Sequence, residues 1–210
     1  MIRITSHRTH ALLTLALLTF ASSANAWILT ISPGARQIYL QVGNGTYTGG
    51  NYNAGGTPAV NTTINTVSLN LNAATLGNGT AQAMTSNSTT ANSFFDGYNV
   101  CNPPLQVYVG GWVRVPGSTG NGVMSVSTPT NLVNSAGDTM PFSNISWTST
   151  ANGTTTAHIA SGTFNGSTIT LANIGANTWV ENCLSFSYAN ANIFPAGTYT
   201  GRATYTLSLP

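Results

Sequence analysis

From Gly197 to Pro210 the chain alternates without exception. Tyr199, Gly201, Ala203, Tyr205, Leu207 and Leu209 fall on one side, and Thr198, Thr200, Arg202, Thr204, Thr206 and Ser208 on the other. Successive residues of a strand point to opposite faces of a sheet, so this period predicts a β-strand with one buried and one wet face. Such a strand has to cover a second apolar layer. Because it ends the sequence, its edge is either paired internally or offered to a partner. The expectation is a layered, all-β protein.

The rest of the composition agrees with that expectation. Charged residues make up 4% of the chain, against about a quarter in an ordinary soluble domain. The polar surface is drawn instead from Thr, Ser, Asn and Gly, a blend of strand and turn formers. A hydrophobic fraction of 41% supplies a core and argues against disorder. The first residues read as a secretory signal spanning 1–26: Arg3 and Arg8, an apolar run from Ala11 to Ala21, then Ala24-Asn25-Ala26 as the small-residue cleavage site. That run is too short to span a bilayer, which needs roughly 20 apolar residues. After the signal, Arg36, Arg114 and Arg202 balance Asp96, Asp138 and Glu181, and there is no lysine. A neutral surface favours self-association, and no basic patch exists to hold nucleic acid.

Cys101 and Cys183 are the only cysteines. In an exported chain they are expected to join, which for a closed loop of this length stabilises by about 4.5 kcal/mol in the chain-entropy description. Strands are predicted at Trp27 to Ser32, Gln37 to Val42, Ile64 to Leu71, Leu105 to Val115, Val123 to Ser127, Phe142 to Ser149, Thr154 to Ile159, Thr168 to Leu171 and Thr178 to Tyr188, spaced by turn signals as in a sandwich. Gly110-Gly111 invites a bulge. Gly43 to Thr63 has no apolar period and reads as a long loop or weak hairpin. Phe94, Phe95 and Tyr98, just before Cys101, are expected to pack on the bridge. No helical period is present. The expected organisation is a signal at 1–26, an N-terminal extension at 27–34 ending in the Pro33-Gly34 turn, and a β-sandwich domain at 35–210.

Catalytic chemistry has little to work with. His158 is the only histidine after the signal, and a Ser, His158 and Asp138 constellation lacks a nucleophile elbow. Asp96 and Glu181 are drawn together only through the bridge between Cys101 and Cys183, the one arrangement that offers a glycosidase pair. No metal-ligand or phosphate-cradle spacing is found. The expectation is a protein that is not an enzyme and needs no cofactor. Tyr47, Tyr52, Trp112, Trp147 and Trp179 lie in Asn- and Thr-rich surroundings, a pattern that would suit glycan binding if the rings were exposed. Each ring is expected to belong to the core.

The terminal run Pro195-Ala196-Gly197-Thr198-Tyr199-Thr200-Gly201, followed by Ala203-Thr204-Tyr205-Thr206-Leu207, resembles the closing strand of bacterial chaperone-usher pilins, especially the archaic group with spore coat protein U-like domains. The resemblance implies an immunoglobulin-like β-sandwich that is incomplete and is completed by a donor strand. It further implies a periplasmic chaperone, an outer-membrane usher and a homopolymer of identical subunits at the cell surface. Carried onto this chain, Trp27, Leu29 and Ile31 become donor knobs, and Tyr205, Leu207 and Leu209 line or border the acceptor groove. Strand addition draws affinity from main-chain hydrogen bonds and specificity from alternate side chains. The chain departs from the pattern in ending Leu209-Pro210, in the late position of both cysteines and in having three knobs before Pro33. The function expected is a structural filament subunit with an adhesive surface; the alternative is a monomeric secreted carbohydrate-binding module.

Overall fold

The computed structural model describes residues 28–150 and 157–210. The expected signal and Trp27 lie outside the described residues, as does the first half of the strand expected from Thr154 to Ile159. The described part of that segment, Ala157 to Ile159, is a bend rather than a strand.

Strands in chain order are β1 (Ile28–Thr30), β2 (Gln37–Val42), β3 (Tyr47–Thr48), β4 (Thr57–Pro58), β5 (Val67–Ser68), β6 (Gln82–Ala83), β7 (Thr85–Ser86) and β8 (Val107–Arg114). There follow β9 (Gly122–Ser127), β10 (Asn131–Val133), β11 (Thr139–Pro141), β12 (Ile145–Thr150), β13 (Gly162–Thr163), β14 (Thr168–Ile174), β15 (Thr178–Tyr188) and β16 (Thr204–Ser208). Among the described residues there is no α-helix.

The longest strand, β15, is the spine of the large sheet, and both of its edges are tiled by two shorter strands. One edge carries β8 along Thr178 to Asn182 and β6 at Ser187 and Tyr188. The other carries β1 along Thr178 to Val180 and β12 along Cys183 to Tyr188. β2 extends the sheet beyond β8, and β13 beyond β12, every pairing antiparallel. The second sheet is β14-β9-β16.

The main core lies between the two sheets. Val109, Val113, Val180 and Leu184 from the large sheet meet Met124, Val126, Ile174 and Leu207 from the small one in a single cluster. The result is a two-layer β protein, as the period of the last segment requires. That segment keeps its alternating burial: Tyr199, Ala203, Tyr205 and Leu209 are half-buried and Leu207 is buried, while the Thr, Arg and Ser positions are exposed. Its ladder is nevertheless shorter than the alternation, because Thr200 bridges Val133 of β10 before the chain moves to β9. Gly201 sits at the crossing. A Cβ there would stand 2.7 Å from Leu132 and 2.9 Å from Phe142.

Gly110-Gly111 makes no bulge, since β8 runs in continuous register with both neighbours. Its glycines serve close approach instead: a Cβ on Gly111 would lie 2.5 Å from the Tyr39 carbonyl oxygen. The register shift falls in the small sheet, between Thr170 and Ala172 of β14. The run from Ile64 to Leu71 keeps its alternating burial, yet only Val67 and Ser68 form a ladder, pairing with β7.

Candidate assembly interface

The large sheet buries its outer face as well as its inner one. Alternation along β15 sends Val180 and Leu184 inward and Trp179, Glu181 and Cys183 outward. β8 sends Tyr108 and Trp112 the same way, and β2 sends Tyr39 and Gln41. A face this apolar cannot be left in water, and two polar stretches roof it. From one come Tyr47, on β3, and Tyr52; from the other, Phe94 and Phe95. Tyr52 lies 5.2 Å from Trp179 and Phe95 5.5 Å, centroid to centroid, in tilted and edge-on arrangements that favour aromatic rings.

β1 is docked at one margin of this roofed face. Ile28, Leu29 and Thr30 pair with Val180, Trp179 and Thr178, and the Ile31 amide donates to the Asn177 carbonyl at 2.8 Å. Asn177 takes a left-handed conformation that asparagine tolerates better than most residues, and its Oδ1 accepts from the Val115 amide. One turn residue thus anchors both β1 and the end of β8. Of the expected knobs, Leu29 is half-buried and Ile31 is 3% exposed, packed with Tyr39, Trp112 and Trp179. Residues 28–31 are therefore seated on their own chain.

The disulfide joins Cys101 to Cys183 with a Cα–Cα distance of 5.5 Å. It sits where β8 has ended along β15 and β6 has not yet begun, and it ties the second roof stretch to the spine. Phe94 packs on it and stands edge-on to Tyr108 at 5.2 Å. Tyr98, expected beside the bridge, is 69% exposed.

Under the roof lies a buried acid. Glu181 Oε2 accepts from Tyr108 Oη at 2.7 Å, Ser93 Oγ at 3.0 Å and Trp179 Nε1 at 3.2 Å. Burial raises its carboxyl above the ordinary range, the three hydrogen bonds pull it back in part, and Asp96 adds to the rise. Burial also raises the phenols of Tyr39 and Tyr108, and pushes Tyr47 up to about 12. On the opposite face Asn182 accepts from the Ile159 amide at 2.9 Å. Glu181 and Asn182 are the two spine residues between the ladders of β1 and β12, and Asn182 Nδ2 donates to the Thr150 carbonyl at the end of β12 at 3.4 Å.

The remaining expected residues fall elsewhere. Tyr205, Leu207 and Leu209 belong to or border β16 in the small sheet, whereas β1 sits on the large one, so the structure does not bring the knobs and the C-terminal strand together. Trp112, Trp147 and Trp179 are buried, as their assignment to the core requires, and offer no exposed ring to a sugar. His158 is bonded to the Asn173 carbonyl at 3.1 Å, while Asp138 accepts from Asn134 in the turn between β10 and β11. Asp96 is near enough to influence Glu181, but the latter's Oε2 is committed to protein donors. Sequence reasoning missed the docking of β1 on Trp179 and the buried role of Glu181. The one available signal for Glu181 was a lone acid inside the Trp179 to Phe186 run.

Comparison with protein-family models, with curated proteins and with solved structures finds no match. The class defined by the fold is a nearly all-β protein of antiparallel sheets with one disulfide.

Proposed function

We propose that the protein is a secreted structural subunit of a pilus- or fimbria-like filament, assembled by β-strand addition. In this reading β1 leaves the seat on its own β15 and takes the equivalent seat on the next copy. The single observation that carries the reading is the docking of β1: a short strand directly after the expected signal, at a sheet margin, held by three paired residues and by Leu29 and Ile31 in an aromatic seat. An element that docks this way in one chain can make the same contacts in trans. Transfer in one direction around a set of copies is heterologous, so it propagates as a filament when it does not close. The segment from Ser32 to Arg36 carries no regular structure and is the natural hinge.

A disulfide and a neutral, Thr- and Asn-rich surface suit an oxidising, extracellular setting. The reading keeps the immunoglobulin-like description and the periplasmic chaperone and usher as proposals that follow from the resemblance of the C-terminal segment. It takes the acceptor to be at Trp179, Trp112 and Tyr39 rather than at Tyr205, Leu207 and Leu209.

The test compares the mass distribution of the protein lacking its signal with that of a variant also lacking 27–34. The expected outcome is a ladder of oligomers for the first and a monomer for the second. Two monomers would sink exchange through β1.

A further inference from the structure

We propose that Glu181 is a pH-operated latch on the seat of β1, closed when its carboxyl is protonated and loosened when it ionises. The inference rests on the reading of β1 as the exchanged strand, and it names what regulates that strand.

The geometry links three parts through one oxygen. Oε2 of Glu181 is held by Tyr108 from β8, by Ser93 from the roof and by Trp179 from the spine itself. All three donors are neutral, and Glu181 as a residue is 3% exposed. The described arginines are engaged elsewhere or exposed: Arg36 donates to the Pro210 carbonyl, Arg114 lies over the Trp112 ring and bonds Gln37, and Arg202 is exposed. The sequence has no lysine. The titratable groups facing Glu181 are Tyr108 on β8 and Asp96 on the roof, with Tyr39 and Tyr47 next to Tyr108. None of them offers a positive charge. An ionised carboxylate is therefore stabilised here by dipoles alone, and hydration is the remaining relief.

Water can reach it most readily where the structure is lightest. β8 and β15 are central strands, whereas Ser93 belongs to an irregular stretch, so the roof is the part that lifts. Lifting it takes Phe95 off Trp179, whose ring also packs against Tyr52 and the Ile31 cluster. Leu29 pairs with Trp179 in register. Loss of the roof thus loosens the seat of β1 through a single indole.

The sign follows from linkage. The closed state holds the proton more tightly than a hydrated open state, so closure is favoured below the open-state carboxyl pKa and is lost as pH rises through the closed-state value. Between those two values the opening equilibrium shifts about tenfold per pH unit.

Hydrogen exchange on the disulfide-bonded protein, converted to protection factors at a series of pH values from about 5 to about 8, tests the latch. Protection of 28–34 and 88–101 is expected to fall together with rising pH while β9 and β14 stay unchanged, and Glu181→Gln is expected to flatten the response. Asp96→Asn provides a second variant that keeps the hydrogen bonds; removing the neighbouring charge is expected to move the midpoint to lower pH. Flat protection in the wild type, a midpoint that Asp96→Asn leaves in place, or a roof that opens while β1 stays protected would each overturn the proposal. The readout is taken on the monomer, so failure to form oligomers defeats the assembly reading alone, and pH-independent protection defeats the latch alone.

Discussion

The two faces of the large sheet are built on different principles. The inner face is closed by a second sheet: Val109, Val113, Val180 and Leu184, with Trp147, Phe186 and Tyr188 further along, pack against partners that come largely from strands whose alternation places them. The outer face is aromatic and polar. It holds Tyr39, Trp112, Trp179 and the buried Glu181 under a cover made of loops, a disulfide and one short strand. Strand against strand gives a core that opens only with the whole fold. A loop roof gives a core that can open by itself, because its cover contributes few ladder bonds. Function that needs movement is better placed on the outer face.

Five measurements break or sharpen that contrast. The largest effect is expected from removing the bridge by a Cys101→Ser and Cys183→Ser double substitution, which should lower denaturant stability by about 4.5 kcal/mol and expose the roof first. Alkaline titration comes next. The raised phenols of Tyr39, Tyr108 and Tyr205 stay protonated in the fold, so their stabilisation is complete below the unfolded value of 10.0 and is lost as pH rises above it. The denaturation midpoint is expected to fall steadily from pH 10 upward. Leu184→Ala, on the inner face, should cost about 3 kcal/mol of global stability, seen as a uniform fall in exchange protection. Ile31→Ala should cost about 2 kcal/mol and act locally, releasing 28–34 while the inner core keeps its protection. Tyr98→Ser, on an exposed ring in the roof, should change stability by no more than about 0.5 kcal/mol. Equal, global losses for Leu184→Ala and Ile31→Ala would erase the distinction between the faces.

The inner face was legible in the sequence and the outer face was not, for a physical reason. β2 and β15 fall on the residues that alternation assigns them, and the alternating burial of the C-terminal segment is as its period requires. Periodicity reports a side chain's face only while the backbone is extended. Tyr47, Tyr52, Phe94 and Phe95 come from short or irregular stretches rich in Asn and Gly, so nothing in their spacing says that they close over Trp179. The place of the bridge was legible from its two cysteines, whereas its position at the junction of β8 and β6 along β15 depends on tiling that only the fold reveals. β8 misled in a different way. With both faces covered, Gly110 and Gly111 are there to let Tyr108 and the Tyr39 backbone approach, and a glycine pair that permits contact looks in sequence like one that permits a bulge.

The bridge also decides how far the molecule can be stretched. Its cysteines are separated by 82 residues, so if a filament were pulled between the two ends of a subunit, that interval could not lengthen while the bond held. At about 3.4 Å per extended residue, roughly 280 Å of contour would be withheld from the load. An oxidised subunit is then a short, stiff link, and a reduced one a long, compliant tether.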